Sequence, residues 1–185
     1  VVYRQTGEPQ KALEYYEKAL PIRQEVSDRS GEATTLTSIG LVYSTTGKPQ
    51  KALEYYEKAL PIFQEVENRS MEATTLNNIG VVYRQTGEPQ KALEYYEKAL
   101  PILQEVEDRS VEATTLNNIG YVYHRIGKPQ KALEYYEKAL PIRQEVSDRS
   151  GEAITLSNIG LVYRDGNQPE KAIEHLEKSV KITLE

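Results

Sequence analysis

The sequence has no cysteine, and only two of its 185 residues are histidines, His124 and His175. Without cysteine, neither a disulfide framework nor a thiolate metal site can form. The two histidines lie too far apart in the sequence to suggest a zinc site or a catalytic pair, and no Gly-rich phosphate loop is present. We therefore expect no catalytic residue, no metal and no cofactor, and we do not expect an enzyme.

Long apolar runs and an excess of positive charge are also absent. No run of about 18 apolar residues occurs, so we expect no membrane partner. The formal net charge is −5, which argues against nucleic acid as a partner, because phosphate contacts need a concentrated cationic face. The first residues do not have the layout of a secretory signal. Together with the lack of cysteine, this leads us to expect a cytoplasmic protein.

A short unit is copied along the chain. The string KALEYYEKALPI begins at Lys11, Lys51, Lys91 and Lys131, and a degraded copy begins at Lys171. The period is 40 residues without an insertion, and periods of this length are typical of solenoids and other repeat arrays. We predict a single repeat domain over residues 1–185, taken from a longer protein, with units at about 1–30 (partial), 31–70, 71–110, 111–150 and 151–185.

Each unit is predicted to contain a first helix, helix A, which in the second unit spans about residues 31–46. Its apolar stripe follows the helical spacing and consists of Leu36, Ile39, Val42 and Tyr43. Ser30 is the candidate N-cap, and Gly47 is a natural C-terminal stop. A two-residue link follows, so we expect the next helix to lie antiparallel to helix A.

The second helix, helix B, is predicted to run over about residues 49–67, with Pro49 as its first residue. Pro61 falls inside it, and the same proline recurs as Pro21, Pro101 and Pro141. An internal proline costs about 3 kcal/mol, but the apolar stripe keeps its phase beyond it, which favours one kinked helix. The alternative is two helices with a break at Leu60.

One hairpin cannot bury both apolar stripes alone, so neighbouring units are expected to stack. The last helix carries apolar residues that would receive a further helix: Ile173, Leu176, Val180 and Ile182.

These positions resemble the tetratricopeptide repeat. The pattern is matched by Leu36, Ile39-Gly40 and Tyr43 in helix A, by Gly47 at the turn, and by Ala52, Tyr56 and Ala59 in helix B. The resemblance implies an all-α fold, a right-handed α-solenoid of antiparallel helix hairpins. The 40-residue period exceeds the family's usual 34, and it looks like that of kinesin light chains and cyanobacterial multi-repeat proteins.

In such arrays helix A lines the concave face, and the resemblance implies a protein or peptide ligand in that groove. Two sets of groove positions recur with the repeat. The polar row consists of Thr37, Asn77, Asn117 and Ser157, and its amide groups could pair with the main chain of an extended peptide. The apolar row consists of Leu41, Val81, Tyr121 and Leu161. The next polar positions, Asn78, Asn118 and Asn158, are expected to bond between helices.

A third set, the rim row, follows the core tyrosine of each helix A. It consists of Arg4, Ser44, Arg84, His124 and Arg164, with Arg125 beside it and Asp165 as the acidic exception. These cations predict a groove that prefers an acidic peptide, since arginine pairs well with carboxylates. The alternative is that they are ordinary cations favoured at helix C-termini.

A structural role is the competing interpretation. A spacer, or a rod that stacks head to tail on other copies, needs no individual groove, and heterologous contacts of that kind generate open filaments. The near identity of the repeats favours this alternative, whereas the variation at the groove positions favours peptide binding.

Overall fold

The computed structural model describes residues 8–184, and every regular element in that range is an α-helix. In chain order the helices are α1 (Pro9–Glu25), α2 (Arg29–Thr45), α3 (Pro49–Glu65), α4 (Arg69–Gln85), α5 (Pro89–Glu105), α6 (Arg109–Arg125), α7 (Pro129–Glu145), α8 (Arg149–Asp165) and α9 (Pro169–Leu184). Even-numbered helices are the predicted helices A, and odd-numbered helices are the predicted helices B. None of the helices in this range is long and apolar enough to cross a membrane.

The chain divides into two compact units, Val1–Ala99 and Leu100–Glu185. In the first unit α1, α2, α3 and α4 pack in sequence, and α2 also contacts α4. In the second unit α6, α7, α8 and α9 pack in sequence, and α6 also contacts α8. Within each unit, neighbouring hairpins therefore lie side by side in chain order, as the periodicity predicts.

The two turns of each repeat use the same geometry with different residues. After α2, Gly47 takes the left-handed conformation with φ of 72°, and the N–H of Lys48 donates to the carbonyl of Tyr43 at 2.9 Å, as in a Schellman motif. After α1 the left-handed residue is Ser27, with φ of 57°. The turn from helix B to the next helix A therefore adopts the left-handed conformation without glycine.

The predicted N-cap at Ser30 is wrong. Helix α2 begins at Arg29, and its N-cap is Asp28, whose Oδ1 accepts a hydrogen bond from the N–H of Gly31 at 2.9 Å. Asn68 plays the same part for α4 by accepting from Met71. The cap lies two residues earlier than expected because the chain enters the helix directly after the left-handed residue Ser27.

Helix B is continuous, so the predicted single helix is confirmed over the alternative break at Leu60. Pro61 lies inside the unbroken helix α3, and Pro21, Pro101 and Pro141 lie inside their own helices in the same way. Beyond Pro61, Ile62 and Phe63 are buried. Their burial offsets the loss of the proline's helical hydrogen bond.

The hairpin core closes around a glycine and a tyrosine. Tyr56 is fully buried, and a Cβ added at Gly40 would lie 2.7 Å from Cε1 of that ring. The same pairing recurs for Gly80 with Tyr96 and for Gly120 with Tyr136. Glycine at this position lets helix A approach helix B closely enough to seat the ring.

A buried glutamate in each helix A joins neighbouring helices, and the sequence reading did not foresee it. Glu112 is buried, and its carboxylate accepts from Gln104 at 3.0 Å and from Arg109 at 2.5 Å. Arg109 also donates to Glu145 of α7 at 2.9 Å. In the first unit, Gln24 and Arg29 donate to Glu32, and Arg29 also bonds to Glu65. The recurrence of Gln, Arg and Glu at fixed steps was the available signal.

Helix α9 exposes an apolar face in the second unit. Ile173, Val180 and Leu184 are 55%, 57% and 82% exposed, and with Leu176 they line an open groove of about 610 Å³. Ile182 does not belong to this face, because it lies beside Ala153 and Ile154 of α8. The predicted receiving surface is therefore correct for three of its four residues, with Leu184 in place of Ile182.

Candidate peptide-binding surface

The polar row is largely engaged within the protein. Thr37 is buried and its hydroxyl donates to the carbonyl of Ala33 at 2.9 Å, while Asn77 is only 6% exposed. Ser157 hydrogen-bonds to the hydroxyl of Ser179 on α9 at 2.8 Å. At Thr37 and Asn77 little side-chain surface is left for a ligand, and the hydroxyl of Ser157 is engaged by α9.

Asn117 is half-buried, as Ser157 is. Its Oδ1 accepts from Nδ2 of Asn158 at 3.1 Å and from the hydroxyl of Thr155 at 3.3 Å. The expectation that Asn158 bonds between helices is confirmed, and its partner is the polar row itself. Because residues of α8 bond to the Oδ1 of Asn117, its Nδ2 is the group that could donate to a ligand.

The apolar row is more accessible than its neighbours. All four of its members are half-buried: Leu41, Val81, Tyr121 and Leu161. The next residue of each helix is fully packed, as Val42 and Val122 show. The row therefore forms a partly open apolar strip, with Leu41 and Val81 in the first unit and Tyr121 and Leu161 in the second.

The rim row is polar, and its members differ between the two units. In the first unit the hydroxyl of Ser44 lies 3.5 Å from Oε1 of Gln85. In the second unit the corresponding contact joins His124 Nε2 to Asp165 Oδ2 at 3.0 Å. Arg4 lies outside the described residues, and Arg125 is exposed.

Asp165 balances much of the positive charge at this part of the second unit. Arg164 donates to its Oδ1 through Nε at 3.0 Å and Nη2 at 2.8 Å. These bonds, with a smaller contribution from His124, hold the pKa of Asp165 below its usual value. Arg164 and His124, both predicted to contact an acidic ligand, therefore share the carboxylate of Asp165.

Arg84 is also partly occupied. Its guanidinium lies close to the hydroxyl of Tyr96, which is fully buried. Burial raises the pKa of Tyr96 to about 12, and Arg84 partly offsets that increase. The arginine is half-buried, so it presents part of its surface to solvent while it supports the packing of α4 on α5.

The first tyrosine of the doublets Tyr55-Tyr56, Tyr95-Tyr96 and Tyr135-Tyr136 packs between the two helices of its hairpin. Tyr55 stacks on Tyr43 with ring centroids 5.5 Å apart, and Lys51 and Lys58 lie over these two rings at 5.2 Å each. Both tyrosines of the doublet are therefore packing residues, with Tyr56 in the hairpin core and Tyr55 stacked on helix A. The lysines could not be read as ring partners from the sequence, since the residues flanking the doublet are Glu54 and Glu57.

Four overlapping stretches, residues 1–65, 32–105, 71–145 and 111–185, match the family model described as tetratricopeptide repeat. The chain belongs to the tetratricopeptide-repeat family. Repeats of this family are typically protein-interaction scaffolds, and they generally do not act as enzymes. A search of curated proteins finds no match to the sequence.

Solved structures with the same fold cover almost the whole chain. BtubC (BKLC) from P. vanneervenii has a TM-score of 0.87 and 27% identity over 98% of this chain and 76% of that one. A putative kinesin light chain from Podosopora anserina, with nearly identical TPR-like repeats, has a TM-score of 0.76 and 20% identity over 98% and 90%. These similarities confirm the predicted fold class, an all-α solenoid of antiparallel hairpins, and the kinesin-light-chain-like character of the repeat.

A Rap protein complexed with Competence and Sporulation Factor has a TM-score of 0.85 and 19% identity. The alignment covers 99% of this tetratricopeptide-repeat chain and 51% of the Rap protein. An identity of 19% shows a shared fold and nothing more.

Proposed function

We propose that this tetratricopeptide-repeat chain is a protein-interaction scaffold that holds an extended polypeptide along its helices A. The observation that supports this proposal is the apolar row. In each of four repeats it keeps one half-buried side chain beside the rim-row residue of the same helix. An apolar strip with flanking polar groups suits a peptide, because the strip contributes burial while the rim fixes orientation. A structure with the same fold, the Rap protein, is complexed with Competence and Sporulation Factor.

Tyr121 is the residue on which we expect this function to depend most. It is the aromatic member of the apolar row, and aromatic residues are enriched among the side chains that carry most of the binding energy of an interface. We expect Tyr121→Ala to weaken peptide binding at least about tenfold, or about 1.4 kcal/mol.

The ligand preference follows from the cations of the rim row and from Arg125 beside it. Arg125 is exposed and Arg84 is half-buried, whereas Arg164 and His124 share Asp165. We therefore propose that an acidic peptide is preferred, and that Arg84 and Arg125 contribute more to this preference than Arg164. The polar row contributes mainly through Asn117.

The test is selection of 12-residue peptides from a random library on the 185-residue chain, followed by fluorescence anisotropy of the selected peptides. Tyr121→Ala and Arg84→Glu should each weaken binding, and Glu54→Gln on the outer side of α3 is the matched control. If the selected peptides bind the Tyr121→Ala variant as tightly as the wild type, the apolar row is not the binding surface. If Arg84→Glu leaves acidic peptides unaffected, the acidic preference is wrong.

A second function, head-to-tail stacking of copies, is favoured by the exposed face of α9 formed by Ile173, Leu176, Val180 and Leu184. Light scattering over a concentration range distinguishes the two. A mass that grows with concentration and reverts in the Val180→Glu variant supports stacking, whereas a constant mass excludes it.

A further inference from the structure

A cavity of about 510 Å³ lies in the second unit, away from the three rows. Its apolar floor is formed by Leu100, Leu116, Tyr135, Pro141 and Ile142. Leu116 and Ile142 belong to the core cluster with Ala113 and Ala139, and Leu100 and Tyr135 pack against it. A volume of this size falls within the range of about 300–1,000 Å³ that is usual for ligand pockets.

The cavity faces a different side of helix A from the peptide surface. From α6 it is lined by Arg109, Glu112 and Leu116, whereas the rows on that helix are Asn117, Tyr121 and His124. At about 100° per residue, the two sets are centred roughly 110° apart around the helix axis. The rest of the cavity lining comes from α5 and α7. A ligand could therefore occupy the cavity while a peptide is bound along the rows.

Two hydrogen-bond acceptors at the cavity rim are available. Pro141 has no N–H, so the main-chain carbonyl of Glu137, four residues earlier, lacks its usual helical donor. The Glu137 side chain also lines the cavity and is exposed, and within residues 8–184 its carboxylate forms no ion pair. Glu137 thus has a carbonyl without its helical donor and a carboxylate without an ion pair.

The cations at the same rim already have partners. Arg109 is held by Glu112 at 2.5 Å and by Glu145 at 2.9 Å. Lys138 lies over the ring of Tyr135, with its Nζ 5.2 Å from the centroid. What the cavity offers a ligand is therefore an apolar floor with acceptors at its edge.

We propose that this cavity binds an arginine side chain of a partner polypeptide. The aliphatic stem of arginine packs on apolar surface while its head group stays polar, which suits the floor of Leu100, Leu116 and Ile142. The planar guanidinium carries several N–H donors, so it can donate to the carboxylate and the carbonyl of Glu137 together. The carboxylate of Glu137, exposed at the rim while Arg109 and Lys138 are engaged, favours a cationic head group at this point.

The same residue types recur in the sequence of other repeats, so a test by substitution changes all of them together. The glutamates are Glu57, Glu97 and Glu137, and their prolines are Pro61, Pro101 and Pro141. Substitution of the three glutamates removes the carboxylate from each of these repeats.

The test uses a fluorescein-labelled peptide, Gly-Ser-Leu-Arg-Leu-Ser-Gly, and the same peptide with citrulline or glutamate in place of arginine. Anisotropy with the 185-residue chain should show binding of the arginine peptide at least tenfold tighter than binding of the citrulline peptide. The glutamate peptide should be weaker still. Equal affinity of the arginine and citrulline peptides would overturn the proposal.

Two triple variants locate the site. Replacing Glu57, Glu97 and Glu137 by glutamine should weaken the arginine peptide about tenfold, whereas the same change at Glu54, Glu94 and Glu134, exposed on the same helices, should leave it unchanged. Replacing the three prolines by alanine should keep the helices folded, because alanine restores the helical hydrogen bond, and it should weaken binding of the arginine peptide at least threefold. Circular dichroism of the variant checks the fold. Binding unchanged by both the glutamate and the proline substitutions would exclude this cavity.

Discussion

Phe63 in the first unit and Arg143 in the second occupy the same position of the repeat, two residues after the internal proline of helix B. Phe63 is 0% exposed and packs in a cluster with Ala33, Leu36 and Ala59. Arg143 is 8% exposed. One buried position of the hairpin junction therefore holds an aromatic ring in one unit and a cation in the other.

The cation is accommodated by two neighbours. The guanidinium of Arg143 forms an ion pair with Asp148, the N-cap of α8, and donates to the hydroxyl of Thr114 at 2.9 Å. Gly151 leaves the space that the side chain needs, since a Cβ there would lie 2.6 Å from Nε of the arginine.

At the Phe63 junction the corresponding residues are Asn68 and Met71, and Met71 packs against the apolar cluster. The combination of arginine, aspartate and glycine occurs once more in the first unit, at Arg23, Asp28 and Gly31, where Arg23 also pairs with Asp28. Arginine is thus paired with glycine, and an apolar residue with a larger apolar one, while the helix bounds stay the same. The cap varies separately, because Asp108 stands beside the apolar pair Leu103 and Val111. The backbone of the repeat accepts either filling, provided that the two packed residues agree.

Phe63→Arg alone should have the largest effect, because it places a charge in the apolar junction without an acidic partner and removes a buried ring. We expect the free energy of unfolding to fall by about 4 kcal/mol or more. Urea denaturation followed by circular dichroism measures the loss.

The matched control transplants the complete charged junction. Phe63→Arg, Asn68→Asp and Met71→Gly together supply the partner and the space found at Arg143, and Thr34 already stands where Thr114 does. The triple variant should recover at least half of the lost stability. If it is no more stable than Phe63→Arg alone, the three residues do not act as a unit.

Replacing the charged junction at Arg143 by an apolar one should raise the free energy of unfolding, by less than Phe63→Arg lowers it. Arg143→Leu with Gly151→Val recreates the pair found at Leu103 and Val111, where Leu103 is fully buried. Replacing a buried ion pair by well-packed apolar residues is commonly neutral or stabilising by about 1–4 kcal/mol. We expect an increase of about 1–2 kcal/mol in the free energy of unfolding by urea denaturation.

The single variant Arg143→Leu is the control, since it leaves the space beside Gly151 unfilled and should be less stable than the double variant. A double variant that loses more than about 1 kcal/mol would show that the Arg143–Asp148 pair contributes more than apolar packing could.

The periodic part of the fold could be predicted from the sequence, because each helix repeats its apolar stripe at the same 40-residue step. The continuity of helix B through Pro61 and the burial of Tyr56 follow from that stripe, and the helices end within two residues of the predicted bounds. The N-cap could not be placed correctly, because Ser30 and Asp28 are both good caps, and the choice depends on the left-handed turn at Ser27.

The candidate site was less accessible to sequence reasoning. The positions of the rows follow from the helical period, but the engagement of their side chains does not. Asp165, one residue beyond Arg164, bonds to both Arg164 and His124, and these bonds depend on side-chain rotamers that the repeat pattern does not determine. The cavity floor could not be predicted for a related reason. It combines residues of three helices, whereas the repeat pattern describes each helix separately.

The smallest expected difference between the two junction types is their response to acid. Asp28 caps α2 with a carboxylate, whereas Asn68 caps α4 with an amide that does not titrate. The N–H of Gly31, and to a smaller extent Arg23, hold the pKa of Asp28 below its ordinary value of 3.8. Because the folded state lowers this pKa, the stabilisation is fully present above about pH 4 and is lost as the pH falls through the folded-state value.

Asp28→Asn converts the charged cap into the uncharged one. The variant should be slightly less stable than the wild type at pH 6, and the gap in urea midpoint should close as the pH is lowered from 4 to 2.5, since all other acids titrate alike in both proteins. Asn68→Asp is the reciprocal control, and its gain at pH 6 should be smaller because Phe63 offers its carboxylate no cation. A gap that stays constant over this pH range would mean that the charge on Asp28 does not stabilise the junction, and that an amide and a carboxylate are equivalent caps here.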